Sequence, residues 1–246
     1  MNIAKLMTDG LSFALPLFVM AIGGIYSERS GVTMLSIEGF QGFGAFTGAI
    51  TVVILRTYLG VSPDWLIYVA TLAAIFGGML FGLLNAFMVM KLRAKMTIAG
   101  VVINILAVAL TSFLSSVITG VVTGQATTKI QLGVSPRYTI PYLSEIPVIG
   151  GLFQNMYPFA FIILVVGVIA WYVLYKTRYG LRLRAAGDNP HSLDAAGVDV
   201  EKIRYSAVIL AGGFAGLGGM AFTYTVANFS PSSYVGYGYL AIAALI

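Results

Sequence analysis

The chain has 246 residues, of which 59% are hydrophobic and only 9% are charged. Soluble domains carry about 25% charged residues, so this composition excludes a soluble protein and indicates an all-α, polytopic integral membrane protein. The absence of cysteine excludes disulfides and thiolate chemistry. The net charge of +5 comes from basic loops and does not indicate nucleic-acid binding.

Long apolar runs predict six membrane-spanning helices and part of a seventh. The six spans are residues 10–26, 37–55, 65–90, 97–122, 159–175 and 206–226. A last apolar run, 236–246, is too short to cross the ~30 Å hydrocarbon layer. We therefore expect a bundle of at least six to seven transmembrane helices in a chain truncated at its C-terminus.

Basic residues predict how these spans are oriented. Residues 91–95 contain three basic and no acidic residues, and residues 176–205 contain six basic residues. By the positive-inside rule both loops are expected in the cytoplasm. The proline-containing stretch 123–158 between them is then an external loop. Alternation along the chain places residues 27–36 inside and the N-terminus outside.

The stretch 26–46, YSERSGVTMLSIEGFQGFGAF, places Glu38 within the apolar flank of the second span. An ionisable residue inside a span is a functional hypothesis. The glycines that follow Glu38 allow close helix packing or a helix break, and we expect a broken helix near 27–39. Two interpretations remain open here. Either a small-residue face packs while Glu38 reaches the interface, or the stretch lines a permeation path.

Two amides and several aromatic residues extend the candidate path. Asn85 in the third span and Asn104 in the fourth either hydrogen-bond a neighbouring helix or contact a hydroxylated solute. An aromatic side chain such as Phe43 or Tyr239 could stack on a ring-shaped substrate. The candidate path residues are Glu38, Gly39, Gln41, Phe43, Asn85, Asn104 and Tyr239.

The polar segment 177–197, TRYGLRLRAAGDNPHSLDAAG, contains its own helix signals. Asn189 is a good N-cap, Pro190 suits the first helical position and Gly197 is a good stop. The resulting helix of about seven residues between two spans predicts a docking surface.

The chain has no phosphate-binding glycine motif, and its single histidine is in this loop. Energy for uphill transport would therefore come from another subunit.

These features together resemble a known family. The 177–197 segment is similar to the coupling loop of bacterial ABC importer permeases of the ribose, simple-sugar, nucleoside and branched-chain amino acid branch. The nucleoside and simple-sugar permeases are the most similar. The resemblance rests on Thr177, Gly180, Arg184, Ala185, Gly187, Asn189-Pro190 and Ala195 to Val198, and on the stretches 27–32, 37–39, 44–46, 100–104, 111–114, 140–150, 210–219 and 236–243.

The resemblance implies a single permease domain, 1–246, with the ABC importer permease fold. It implies an importer that moves nucleosides across the bacterial cytoplasmic membrane by alternating access, with simple sugars such as ribose or galactose as the alternative. A stand-alone channel or secondary transporter is the alternative from another class. The residues implied in coupling to the ATPase are Arg184, Asn189, Pro190, Ala195, Ala196 and Gly197.

The same resemblance implies partners rather than cofactors. ATP and Mg are expected at a partner ATPase subunit, and this chain is expected to bind no cofactor or metal and to have no catalytic residue. The other expected partners are a second permease subunit, an extracytoplasmic substrate-binding protein and membrane lipid, with no nucleic acid.

Overall fold

The computed structural model describes residues 3–60, 63–133 and 157–245. The predicted external loop 123–158 therefore lies mostly outside the described residues. Within the described ranges the chain is almost entirely helical. The α-helices are α1 (Ile3–Arg29), α2 (Ile37–Leu59), α3 (Pro63–Ala86), α4 (Met96–Thr123), α5 (Pro158–Lys176), α6 (Arg178–Asp188), α7 (Pro190–Ala195), α8 (Val200–Val226) and α9 (Tyr237–Ala243).

Three short elements accompany these helices in the described ranges. A π-helical turn, Phe87–Lys91, extends α3. The two-residue strands β1 (Ile130–Gln131) and β2 (Asn228–Phe229) pair in antiparallel fashion, with Ile130 opposite Phe229.

Among the described residues six helices are long and apolar enough to cross a membrane, which confirms the predicted polytopic all-α class. They are α1, α2, α3 with its π-helical turn, α4, α5 and α8. The sixth span begins at Val200, six residues before the predicted start at 206, because its first turn is charged but helical. Asp199 caps this turn by accepting a hydrogen bond from the Lys202 amide, and this bond lowers the pKa of the exposed Asp199 carboxyl.

Contacts between the connecting segments divide them between the two ends of the bundle. Lys91 pairs with Glu201 at 3.2 Å, and Gly187 packs against the backbone of Arg29 and Gly31. The segments predicted to be cytoplasmic (27–36, 91–95 and 176–205) therefore share one end, which we call the basic end. β1 and β2 pair at the opposite end. This agrees with the alternation predicted from the basic residues.

Helix α8 is the most buried span and packs closely against α3. Glycines allow this approach: a Cβ added to Gly212 would overlap the carbonyl oxygen of Gly78, and one added to Gly216 would overlap that of Ala74. In a membrane the hydrophobic effect does not drive helices together, because lipid is as apolar as leucine. Helices associate instead through the dispersion attraction that such close small-residue contacts allow. The α3–α8 pair is thus the densely packed centre of the bundle.

We predict that Gly212→Ala destabilises the protein, because its methyl group must push α3 and α8 apart. Overpacking of this kind costs about 1–3 kcal/mol. Thermal unfolding in detergent micelles should show a lower midpoint. Gly10→Ala is the matched control, since no atom lies within 4 Å of a Cβ at Gly10 in α1. Equal midpoints for the two variants would contradict the proposed role of this contact.

Candidate functional site

Residues 30–36, which connect α1 to α2, are not helical and lie within the bundle. The carbonyl oxygen of Leu35 accepts a hydrogen bond from Asn104 Nδ2 at 2.9 Å. Asn104 lies eight residues beyond Met96, the first residue of α4. At 1.5 Å per residue this places Leu35 about 12 Å in from the basic end. The predicted break near 27–39 is therefore two separate helices joined by a segment that re-enters the bundle.

A second non-helical stretch, residues 230–236, returns from the opposite end into the bundle. The Tyr234 hydroxyl lies 3.3 Å from Thr111 Oγ1 on α4. Two residues further, the Gly236 amide donates to Glu38 Oε2 at 3.0 Å. The last apolar run, predicted as the start of a seventh span, is thus preceded by a returning segment and forms helix α9 within the described residues.

The two stretches meet at a cluster that we call the polar junction: Glu38, Gly39, Asn104, Gly236 and Tyr239. Asn104 is its centre, because its side chain makes three hydrogen bonds. Its Oδ1 accepts from the Gly39 amide at 2.8 Å, and its Nδ2 donates to Leu35 and to the Tyr239 hydroxyl at 3.1 Å. One amide thus joins the start of α2 to α9 and satisfies a backbone amide that the helix itself leaves unpaired.

Glu38 is turned into the protein rather than toward the interface. It is 5% exposed and lies in the first turn of α2, where the helix dipole favours a negative charge. Its carboxylate accepts from Gly236, the N-cap of α9. Among the described residues no lysine or arginine pairs with it. An acid at this depth is therefore held by a backbone amide, that of Gly236.

The glycines after Glu38 form a packing face. Gly42 lies against the Tyr234 ring, and Gly44 lies against Gly216 of α8. Of the two uses open to these glycines, close packing is the one in the structure, because the helical break lies upstream at 30–36.

Three predicted path residues lie apart from the hydrogen bonds of the polar junction. Phe43 stacks on Phe81 of α3 with ring centroids 4.1 Å apart. Gln41 is fully buried against Gly219, and neither its amide nitrogen nor its amide oxygen has a partner in the described part of the chain. Asn85 is 3% exposed, and its Oδ1 also lacks a described partner. Their roles in a path stay predictions.

Sequence reasoning missed Thr111, Tyr234 and Gly236 as members of this region. Thr111 is one hydroxyl in an apolar helix, where such groups commonly bond the preceding turn, as Thr111 does with Ala107. For Tyr234 the one hint was Gly42, which leaves room for the Tyr234 ring. Within the described residues, no group of three acidic, histidine or cysteine side chains could hold a metal ion.

The polar segment at the basic end forms two helices where the sequence predicted one. Asn189 caps α7 by accepting from the Ser192 amide, Pro190 occupies its first position, and Gly197 follows it with φ of +77°. These are the predicted caps, on a helix of six residues. Ala195, Ala196 and Gly197 are exposed.

The helix that the sequence did not predict, α6, lies between α5 and α7. Thr177 caps it, and its buried stripe of Gly180, Leu183 and Ala186 packs against the spans. Arg184 lies over the ring of Tyr175, 5.3 Å from its centroid, and donates to the Gly180 carbonyl. α6 thus carries α7 on a surface packed directly onto the membrane helices.

We predict that Asn104→Leu, which keeps the side-chain size, lowers the free energy of unfolding by about 1–3 kcal/mol, because it leaves the Gly39 amide unpaired. Thermal unfolding in detergent would measure the loss. Tyr239→Phe is the control, since it removes one hydroxyl and leaves the other two hydrogen bonds of Asn104 in place. A midpoint for Asn104→Leu equal to that of the unchanged protein would rule out this structural role.

Comparison with known proteins identifies the class. Residues 6–246 match the family described as the permease component of the branched-chain amino acid transport system. The chain is 38% identical to a guanosine ABC transporter permease protein of Bacillus subtilis, over 96% of this chain and 72% of the relative. It is 36% identical to a nucleoside ABC transporter permease protein of Lactococcus lactis, over 96% and 73%.

A third relative is a putative glucose ABC transporter permease protein of Haloferax volcanii, 30% identical over 99% of this chain and 70% of the relative. No solved structure matches the chain. The family match covers nearly the whole sequence, and six helices in the described part of the chain are long and apolar enough to cross a membrane. The chain therefore belongs to the family of permease components of branched-chain amino acid transport systems and is a multi-pass protein of the cytoplasmic membrane.

Proposed function

We propose that this chain is the membrane-spanning subunit of an ATP-driven importer that moves nucleosides into the cell. The observation that carries the proposal is the similarity to a guanosine permease and a nucleoside permease at 38% and 36% identity, each over 96% of the chain. The permease class follows from the family, and the nucleoside is our inference from these two relatives.

The polar junction supports the transport part of the proposal. Interrupted helices whose N-termini meet inside a bundle are the usual construction of solute sites in transporters. Here α2 and α9 both begin at the polar junction, beside a carboxylate, an amide and a phenol. These groups can donate to and accept from the hydroxyls of a ribose or the edge of a base. Gln41 offers a further amide one helical turn from Glu38.

The exposed helix α7 supports the coupling part. We infer that α7 binds a cytoplasmic ATPase subunit, which holds ATP and Mg, and that this chain itself catalyses no reaction. Arg184, Asn189 and Pro190 would fix the position of α7, and the exposed Ala195 to Gly197 would allow close approach. A second permease subunit and an extracytoplasmic substrate-binding protein complete the proposed assembly. Rigid-body motion of packed helices would switch its access.

A simple sugar is the second candidate substrate. One relative at 30% identity is named a putative glucose permease. Sugar and nucleoside share ribose-type hydroxyls, so the hydrogen-bonding groups of the polar junction suit both. The higher identity of the two nucleoside and guanosine relatives favours the nucleoside.

The substrate can be tested with the complete importer in proteoliposomes that contain ATP. We predict ATP-dependent uptake of labelled guanosine, which unlabelled nucleosides suppress and excess glucose or ribose does not. Sugar uptake that nucleosides fail to suppress would shift the assignment to sugars. Uptake without ATP or the ATPase subunit would favour a stand-alone channel or secondary transporter.

We predict that Ala196→Trp weakens docking while leaving the membrane fold intact, because Ala196 is exposed and its φ of −80° suits any residue. Gly197 is a poorer choice, since its φ of +77° strains every other side chain. The affinity for the ATPase should fall by about tenfold or more, or ~1.4 kcal/mol. Co-purification from detergent measures it.

Leu181→Trp is the control for Ala196→Trp. Leu181 is 62% exposed on α6, outside α7, and should accept an indole without effect on docking. Normal co-purification and uptake in Ala196→Trp would remove the coupling assignment from α7.

A further inference from the structure

We propose that Arg204 is a positioning residue that ties the coupling helices to the 30–36 segment, so that movement of α6 and α7 reaches the polar junction. The proposal rests on the ATP-driven function proposed above. It adds a residue that neither the sequence motifs nor the candidate sites included.

Arg204 lies in the first turns of α8 and bonds two segments that are remote from it along the chain. Its Nε donates to the carbonyl oxygen of Ser30 at 3.0 Å, and its Nη2 donates to that of Ala186 at 3.1 Å. Ser30 directly follows α1, and Ala186 lies in the last turn of α6. One guanidinium therefore joins the ends of α1 and α6 to the start of α8.

Both acceptors are carbonyls at the C-terminal ends of helices, where no intrahelical partner exists and the dipole favours a cation. Arginine suits this position because its planar guanidinium presents several donors in a fixed arrangement, whereas lysine is a single point charge. The side chain is half-buried, which strengthens its hydrogen bonds relative to those of an exposed arginine.

The backbones beside Arg204 touch without any intervening side chain. A Cβ added to Gly187 would overlap the carbonyl oxygen of Arg29, and Gly31 has φ of +84° and packs on the Gly187 Cα. Because α6 and the 29–31 turn are in direct contact and share the guanidinium, α6 cannot shift without moving the turn or breaking these hydrogen bonds.

The 29–31 turn is itself connected to the polar junction. Ser27 bonds Val32 twice: its Oγ donates to the Val32 carbonyl, and its own carbonyl accepts from the Val32 amide. Three residues later Leu35 accepts from Asn104, which also bonds Gly39 and Tyr239. Hydrogen bonds, joined by the short backbone stretch 32–35, thus connect the end of α6 to the starts of α2 and α9.

The test compares Arg204→Ala, Arg204→Lys and Lys202→Ala in the complete importer in proteoliposomes. Lys202 is the matched control: it is a cation two residues away, 84% exposed and paired only with Asp199 in the described structure. For Arg204→Ala we expect ATP hydrolysis to continue while uptake per ATP falls about tenfold or more, because both charge-assisted hydrogen bonds of the guanidinium are lost. Arg204→Lys should be intermediate, and Lys202→Ala should match the unchanged complex.

A purely structural role would instead reduce hydrolysis and uptake of the assembled complex in proportion, and that result would overturn the proposal. Unchanged uptake per ATP in Arg204→Ala would also overturn it. If Arg204→Ala does not assemble, the comparison of Arg204→Lys with Lys202→Ala decides, because an equal uptake per ATP in both contradicts the proposed tie.

Hydrogen–deuterium exchange separates this proposal from the choice of substrate. In the unchanged complex we expect ATP to alter amide exchange in both 178–195 and 30–36, and in the Arg204 variant only in 178–195. If no nucleoside is taken up but this pattern holds, the proposed substrate fails and the role of Arg204 stands. If ATP leaves 30–36 unaffected in the unchanged complex, the role of Arg204 fails whatever is transported.

Discussion

The structure depends on how backbone polar groups are satisfied where two non-helical segments lie at membrane depth. An unpaired amide or carbonyl there costs several kcal/mol, so irregular backbone is tolerated only beside protein groups or water. Asn104 and Glu38 supply those groups: the first holds Leu35 and Gly39, and the second holds Gly236. These two side chains therefore make possible both interrupted helices.

This arrangement links solute binding to helix position. In the structure both hydrogens of the Asn104 amide nitrogen are engaged by protein, so a solute that accepts a hydrogen bond from this nitrogen must displace Leu35 or Tyr239. Displacement changes what holds the start of α2 or α9. Solute binding at the polar junction and the position of these helix ends are then coupled, as the proposed alternating access requires.

The sequence predicted those parts of the fold that depend on local chemistry. Apolar runs located the six spans, and Asn189, Pro190 and Gly197 marked α7 within a residue or two. It did not predict α6, because this helix is rich in arginine and its buried stripe contains only three residues, too few to give a clear apolar pattern. It also did not predict the return of 230–236 to Glu38, because a contact across 198 residues leaves no periodic pattern. Pairings set by tertiary packing, such as Tyr234 against Gly42, had to come from the structure.

The distribution of contact types indicates which parts of the bundle can move. α3 and α8 meet backbone to backbone through Gly78, Gly212 and Gly216, and close-packed surfaces of this kind resist gradual deformation. α2 and α9 also touch closely, where Gly238 lies against the backbone of Glu38, but their starts are held in addition by directional hydrogen bonds to each other and to Asn104. Such hydrogen bonds can exchange one partner for another at little net cost. A rigid α3–α8 core with exchangeable ends of α2 and α9 is what a rigid-body switch needs, since such switches repack some contacts while others remain fixed. The 30–36 segment, fixed at one end to α6 and at the other to Asn104, lies between the docking helix and these exchangeable ends.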